Sequence, residues 1–226
     1  MSTRSATIPF RSAFLSLFLV APAASPAGAQ VREPVGPFAV DLRVAMPRFG
    51  EDASVAASIG VDSSSMPASG LGLVVGAHWY PLHMGNVTLG IGGELLMSGG
   101  SKAPEIGEDD GDPPPVEPGP TVATRFSAVS PQISLNFGSN RGWSYLTGGL
   151  GWGGFTTERE DMPVGDGEAR PRVFNYGGGA RWFAREHLAF TLDLRFYVVA
   201  AQAATTGRPV YPSNTMMVFS GGVAFK

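Results

Sequence analysis

The feature that most constrains this chain is the rhythm of its gaps. After the first 29 residues it breaks into eight alternating segments of about ten residues each, and the connections between them run long, short, long, short, long, short, long. The short ones are Pro81–Asn86, Gly138–Gly142 and Ala184–His187. The long ones are Phe49–Ala68, Gly99–Val122, Thr156–Pro171 and Ala200–Asn214. Within a segment the residues obey a period of two, which a strand produces and a helix does not. Phe38, Val40, Leu42, Val44 and Met46 share one face, and Ala39, Asp41, Arg43 and Ala45 share the other. An antiparallel sheet with two free edges has no reason to sort its loops by parity. A sheet closed into a barrel, with one rim made of tight turns and the other of long loops, does.

The expected strands are Pro37–Pro47, Ser69–Tyr80, Val87–Met97, Arg125–Phe137, Trp143–Phe155, a hairpin over residues 173–197, and Thr215–Phe225. The fifth is the least regular, because five glycines blur its alternation. Its Trp143 and Tyr145 near one end, and Trp152 and Phe155 near the other, are expected to form interfacial aromatic belts. Trp79, Trp182, Phe219 and Phe225 are expected to face lipid near strand ends.

Charge decides which face points outward. In a water-soluble barrel the apolar face turns inward, and the opposite face must be richly charged. Here that face holds mostly Gly, Ala, Ser and Thr. Charged residues make up 15% of the chain, against the roughly 25% usual for soluble proteins. The few charges on this face, Asp41, Arg43, Glu94, Arg181, Asp193 and Arg195, suit a narrow lumen in which they pair. Asp41 with Arg43, Asp193 with Arg195, and Glu94 with Arg181 are the expected pairs. The apolar face is then the lipid face. The expected fold is all-β: an eight-stranded, antiparallel, up-and-down transmembrane β-barrel with both termini on the tight-turn side.

The first 29 residues are expected to be a cleaved signal peptide. Arg4 and Arg11 supply a positive start, Phe14 to Val20 an apolar stretch, and Ala27-Gly28-Ala29 a small-residue cleavage site. Residues 30–226 are then one barrel domain. Losing the two arginines takes the net charge from −3 to −5, the wrong sign for nucleic acid. The chain has no cysteine, which excludes disulfides, thiolate metal sites and a thiol nucleophile.

No catalytic constellation, metal site or cofactor motif emerges. Gly177-Gly178-Gly179 lies inside a strand with no helix after it, so it is not a phosphate cradle. His78 sits on the inner face beside Tyr80, with no nucleophile and acid at recognisable spacing. His83 and His187 fall in tight turns. The acidic run within residues 99–121, Glu108-Asp109-Asp110-Gly111-Asp112, lacks the ligand spacing of a calcium loop and reads as a solvated segment.

The run Asn175-Tyr176-Gly177-Gly178-Gly179-Ala180-Arg181-Trp182-Phe183, with His187-Leu188-Ala189-Phe190 and Asp193-Leu194-Arg195-Phe196-Tyr197, resembles the closing hairpin of small bacterial outer-membrane barrels of the OmpA/OmpX-like type. The last strand, with Phe219, Val223 and Phe225 on one face, resembles the signal read by the barrel-assembly machinery; Lys226 departs by following the terminal aromatic residue. The resemblance implies export to the outer membrane, assembly by that machinery, and outer-membrane lipid or lipopolysaccharide as surroundings. It implies no single activity. A non-enzymatic envelope-stabilising or loop-binding protein is the leading expectation, followed by a narrow porin-like channel and then a lipid-modifying enzyme.

Overall fold

The computed structural model describes residues 33–103, 119–162, 170–204 and 210–226. The expected signal peptide and the Glu108–Asp112 run lie outside the described residues. Eight strands follow one another around a closed antiparallel barrel: β1 (Phe38–Arg48), β2 (Leu71–Met84), β3 (Val87–Lys102), β4 (Val122–Ser139), β5 (Gly142–Arg159), β6 (Arg172–Phe183), β7 (Leu188–Val199) and β8 (Asn214–Phe225). Each strand pairs with its sequence neighbour. β8 closes on β1 through the register Val40 to Phe225, Leu42 to Val223 and Met46 to Phe219. Closure leaves no strand edge, the condition a sheet must meet to lie in hydrocarbon.

The wall is inside-out relative to a soluble domain. Leu42, Val44, Leu71, Ile91, Ile133, Leu146, Leu150 and Leu192 are all outward and exposed, while Asp41, Arg43, Glu94, Asp193 and Arg195 are buried. Trp79, Trp182, Phe219 and Phe225 also face outward. Phe38, Phe137 and Phe190 join them on the outer wall toward the short-turn end.

Three aromatic residues depart from expectation. Trp143, Tyr145 and Phe155 point into the lumen and are at most 8% exposed; of the four aromatics assigned to belts on β5, only Trp152 faces out. Strand parity places odd-numbered β5 residues inside, and this overrides any preference of aromatic rings for the interface.

The strands also run further than their apolar pattern. β3, β4 and β5 have 16, 18 and 18 residues, whereas about nine to eleven tilted residues cross a bilayer core. The surplus stands at the long-loop end. At the other end the expected turn Pro81–Asn86 is mostly strand: the β2–β3 ladder shifts register between Trp79 and Leu82 and closes on a two-residue turn, Gly85-Asn86. Gly85 has φ +60° there, a conformation that any Cβ would disfavour.

The first long connection contains a short helix, α1 (Ala53–Ser58). Asp52 Oδ1 accepts hydrogen bonds from Ser54 N (2.8 Å) and Val55 N (3.2 Å), satisfying two otherwise orphaned amides. Val55, Ala56 and Met66 pack onto the upper lumen. Two strand ends fasten this segment down. Arg159 Nη1 donates to Ile59 O (2.9 Å), and Lys102 Nζ donates to Ser64 O (2.6 Å).

Candidate functional site

The lumen has three levels. Toward the short turns, Val35, Ala39, Tyr80, Trp143 and Tyr145 form an apolar cluster. Toward the long loops a larger one gathers Phe49, Leu96, Phe126, Phe155, Tyr197, Met216 and Val218 with the α1 residues. Between them lies a charged belt.

The belt joins all six charged residues named from the sequence. Arg43 on β1 is its hub. Its guanidinium lies 2.7 Å from Asp41 and 3.1 Å from Asp193, contacts Glu94, and donates to Ser220 Oγ at 3.1 Å. Arg195 lies 2.9 Å from Asp193 and 3.1 Å from Glu94. Arg181 donates to Asp41 Oδ2 at 2.6 Å and to Tyr80 Oη at 3.0 Å. The pairing Glu94 with Arg181 does not form. Glu94 goes to Arg43 and Arg195, and Arg181 goes to Asp41, because sequence parity fixes the face of a residue but not its neighbour across a narrow lumen.

Three guanidinium and three carboxylate groups sum to zero charge, and each of these side chains is at most 2% exposed. Isolated, any one of them would cost several kcal/mol to bury. Tyrosines fill the remaining acceptor sites. Tyr145 donates to Asp193 Oδ2 at 2.8 Å, and Tyr197 donates to Glu94. Parity had already placed Tyr80 and Tyr197 on the charged face, so their participation was legible; that of Tyr145 was hidden by its assignment to an aromatic belt. Glycine makes the room. A Cβ on Gly222 would stand 2.1 Å from Leu42 O and 2.7 Å from the Arg43 Cα.

Apart from Arg181, the lumen wall on β4 to β6 holds uncharged polar side chains among its buried positions. Gln132 donates to Asn175 Oδ1 at 3.2 Å, and Thr147 donates to Gln132 Oε1 at 3.4 Å. His78 is buried beside Gly92, where a Cβ would touch its ring. His83 Nε2 meets Val35 O at 2.9 Å. The three histidines hold separate places, and among the described residues no group of three His, Asp or Glu side chains is arranged to hold a metal ion.

The described segments before β1 and after β8 meet at the short-turn mouth. Val35 is buried in the lower cluster. Glu33 accepts from Asn140 Nδ2 at 3.0 Å. Lys226 lies 4.0 Å from the Phe183 ring centroid and donates to Asn140 O (2.5 Å) and Oδ1 (2.6 Å). Phe219, Val223 and Phe225 stay on the outer face of β8, and the backbone leaves that face only at Lys226.

No protein-family model matches this chain, and no curated protein matches it by sequence. Solved structures do. Neisserial surface protein A aligns over 84% of this chain and 96% of its own, with 12% identity and a TM-score of 0.51. The fold is that of the small bacterial outer-membrane β-barrels. Ail, the attachment invasion locus protein of Yersinia pestis, matches over 84% of this chain and 98% of its own at 13% identity and a TM-score of 0.47. OprG of Pseudomonas aeruginosa matches over 86% and 97% at 10% identity and 0.44. Identities this low speak to architecture alone.

Proposed function

We propose that this barrel is a non-conducting, non-enzymatic anchor of the bacterial outer membrane that stabilises the envelope or presents its long loops for binding. The observation that carries this reading is the charged belt. Six charges interlock across the lumen, with ring-filled apolar layers above and below. A conducting pore needs a continuous polar path. Tight turns face the periplasm in barrels of this architecture, so the α1 connection and the other long loops face outside. The barrel-assembly machinery reads the strand that ends in Phe225. His78, shut inside the wall, is no candidate for chemistry on lipid or on external substrates.

Planar-bilayer recording tests the proposal. Purified, refolded protein is expected to give no steady unit currents. Unit currents that Arg181→Gln or Arg195→Gln alters would replace the anchor with a narrow conduit. Mass spectrometry of lipid A from cells with and without the protein is expected to show no change; a modified species would make it an enzyme.

A further inference from the structure

The outer wall is almost free of charge, and its exceptions are all at one end. Along the outward positions of the eight strands the only charged residues are Arg48, Arg125, Glu158 and Arg172, each at the long-loop end of its strand. Arg125 lies 3.5 Å from Glu158. The guanidinium groups of Arg48 and Arg172 have no ion pair or hydrogen bond among the described residues.

Their neighbourhoods differ. Arg48 is flanked by Met217 and Ser69. Arg172 is flanked across the ladder by Trp152, which is 52% exposed, and two residues further along the same face by Phe174. Phe174 stacks on Tyr176 with ring centroids 5.7 Å apart, and Tyr176 on Phe196 at 5.4 Å. Beside this shelf the row of outward side chains is interrupted at Gly148, opposite Tyr176: a Cβ there would meet nothing nearer than Asn175 O at 3.8 Å. A rim cation with no partner among the described residues, a run of rings beneath it and a gap in the side-chain row further along the strands follow one another in the order of a lipid's phosphate, backbone and acyl chain.

We propose that the outer face of β5 and β6 binds one phosphorylated glycolipid of the outer leaflet, with Arg172 on a phosphate, Trp152, Phe174 and Tyr176 along its sugar and upper acyl region, and an acyl chain over Gly148. Arginine suits the task because its fork of donors matches phosphate oxygens, and a rim cation gains from an anionic leaflet. Interfacial rings hold the amphipathic boundary. The assignment to the outer leaflet rests on the loop orientation given above; the binding itself does not.

Native mass spectrometry of the detergent-solubilised full barrel, titrated with lipid A, tests the site independently of any conductance result. The protein is expected to retain one equivalent. Arg172→Gln is expected to weaken binding about fivefold, and Arg172→Lys less, because one rim cation contributes modestly. Gly148→Leu, which fills the gap in the side-chain row, is expected to weaken it about threefold by occluding contact area. Arg48→Gln is the control and is expected to change affinity less than about twofold. Heat-modifiable gel migration verifies that each variant is folded. Equal losses from Arg48→Gln and Arg172→Gln would reduce the site to a general surface attraction and overturn the proposal. So would equal retention of phosphatidylethanolamine, or displacement of the lipid by millimolar inorganic phosphate.

Discussion

The upper and middle levels of the lumen are equally buried and built on opposite principles. The upper level, under α1, is a cluster of rings and aliphatic chains: Phe126 lies 4.8 Å from Phe155 and 5.8 Å from Tyr197 between ring centroids. It tolerates small shifts, because dispersion contacts are many and individually weak. The middle level is a closed circuit in which every charge needs the others, since removing one leaves its partners buried and unpaired. The upper layer covers the belt on the long-loop side, and the belt fixes the relative positions of β1, β3, β6 and β7 that the upper layer packs against.

The contrast can be broken most severely at the hub. Arg43→Met should destabilise the barrel by about 3–5 kcal/mol, since Asp41, Glu94 and Asp193 would then share two arginines. Urea unfolding in lipid vesicles measures it. Adding Glu94→Gln should recover part of the loss, and failure to recover any would mean that Arg43 acts by filling space. Phe155→Ala removes a ring from the upper layer and should cost about 2–4 kcal/mol, with Phe155→Leu costing clearly less. If Leu were as harmful as Ala, the upper layer would be as exacting as the belt. Tyr145→Phe deletes one donor to Asp193 and should cost about 1 kcal/mol.

The smallest effect belongs to the segment above. Asp52→Ala removes the α1 cap and should cost about 1 kcal/mol locally, read as faster amide exchange at Ser54 and Val55. The Ser54 hydroxyl, with the two amides, holds the Asp52 carboxyl below its ordinary range. The folded value is the depressed one, so the cap acts fully above the unfolded pKa of about 4. Its contribution fades as pH falls through the folded value. Exchange at these amides should therefore quicken in acid, and a rate independent of pH after correction for intrinsic exchange would contradict it.

Much of this was legible in the residues. Parity alone sorted Leu42 from Arg43 and Leu194 from Arg195, because a strand has only two faces. It also placed Tyr197 beside the charges. Partnership was legible within a strand but not across the lumen: Asp41 pairs with Arg43 and Asp193 with Arg195 as their spacing of two implies, whereas Glu94 and Arg181 share a face, yet the tilt and stagger of the strands carry them to different partners. Strand length was underread at the loop end, where Ser101 and Glu158 occupy outward positions beyond the apolar band, so that the alternation of apolar and polar residues fades. α1 went unforeseen because six residues are too few for a helical period, although Asp52 before Ser54 and Val55 carried a capping signal.

The bond from Lys226 to Asn140 has a practical corollary. Lys226 is a working part of the short-turn rim, held between the β4–β5 turn and the face of Phe183. A fusion whose linker displaced Lys226 would pull the ammonium out of its seat. Fusions meant to leave the molecule undisturbed belong elsewhere.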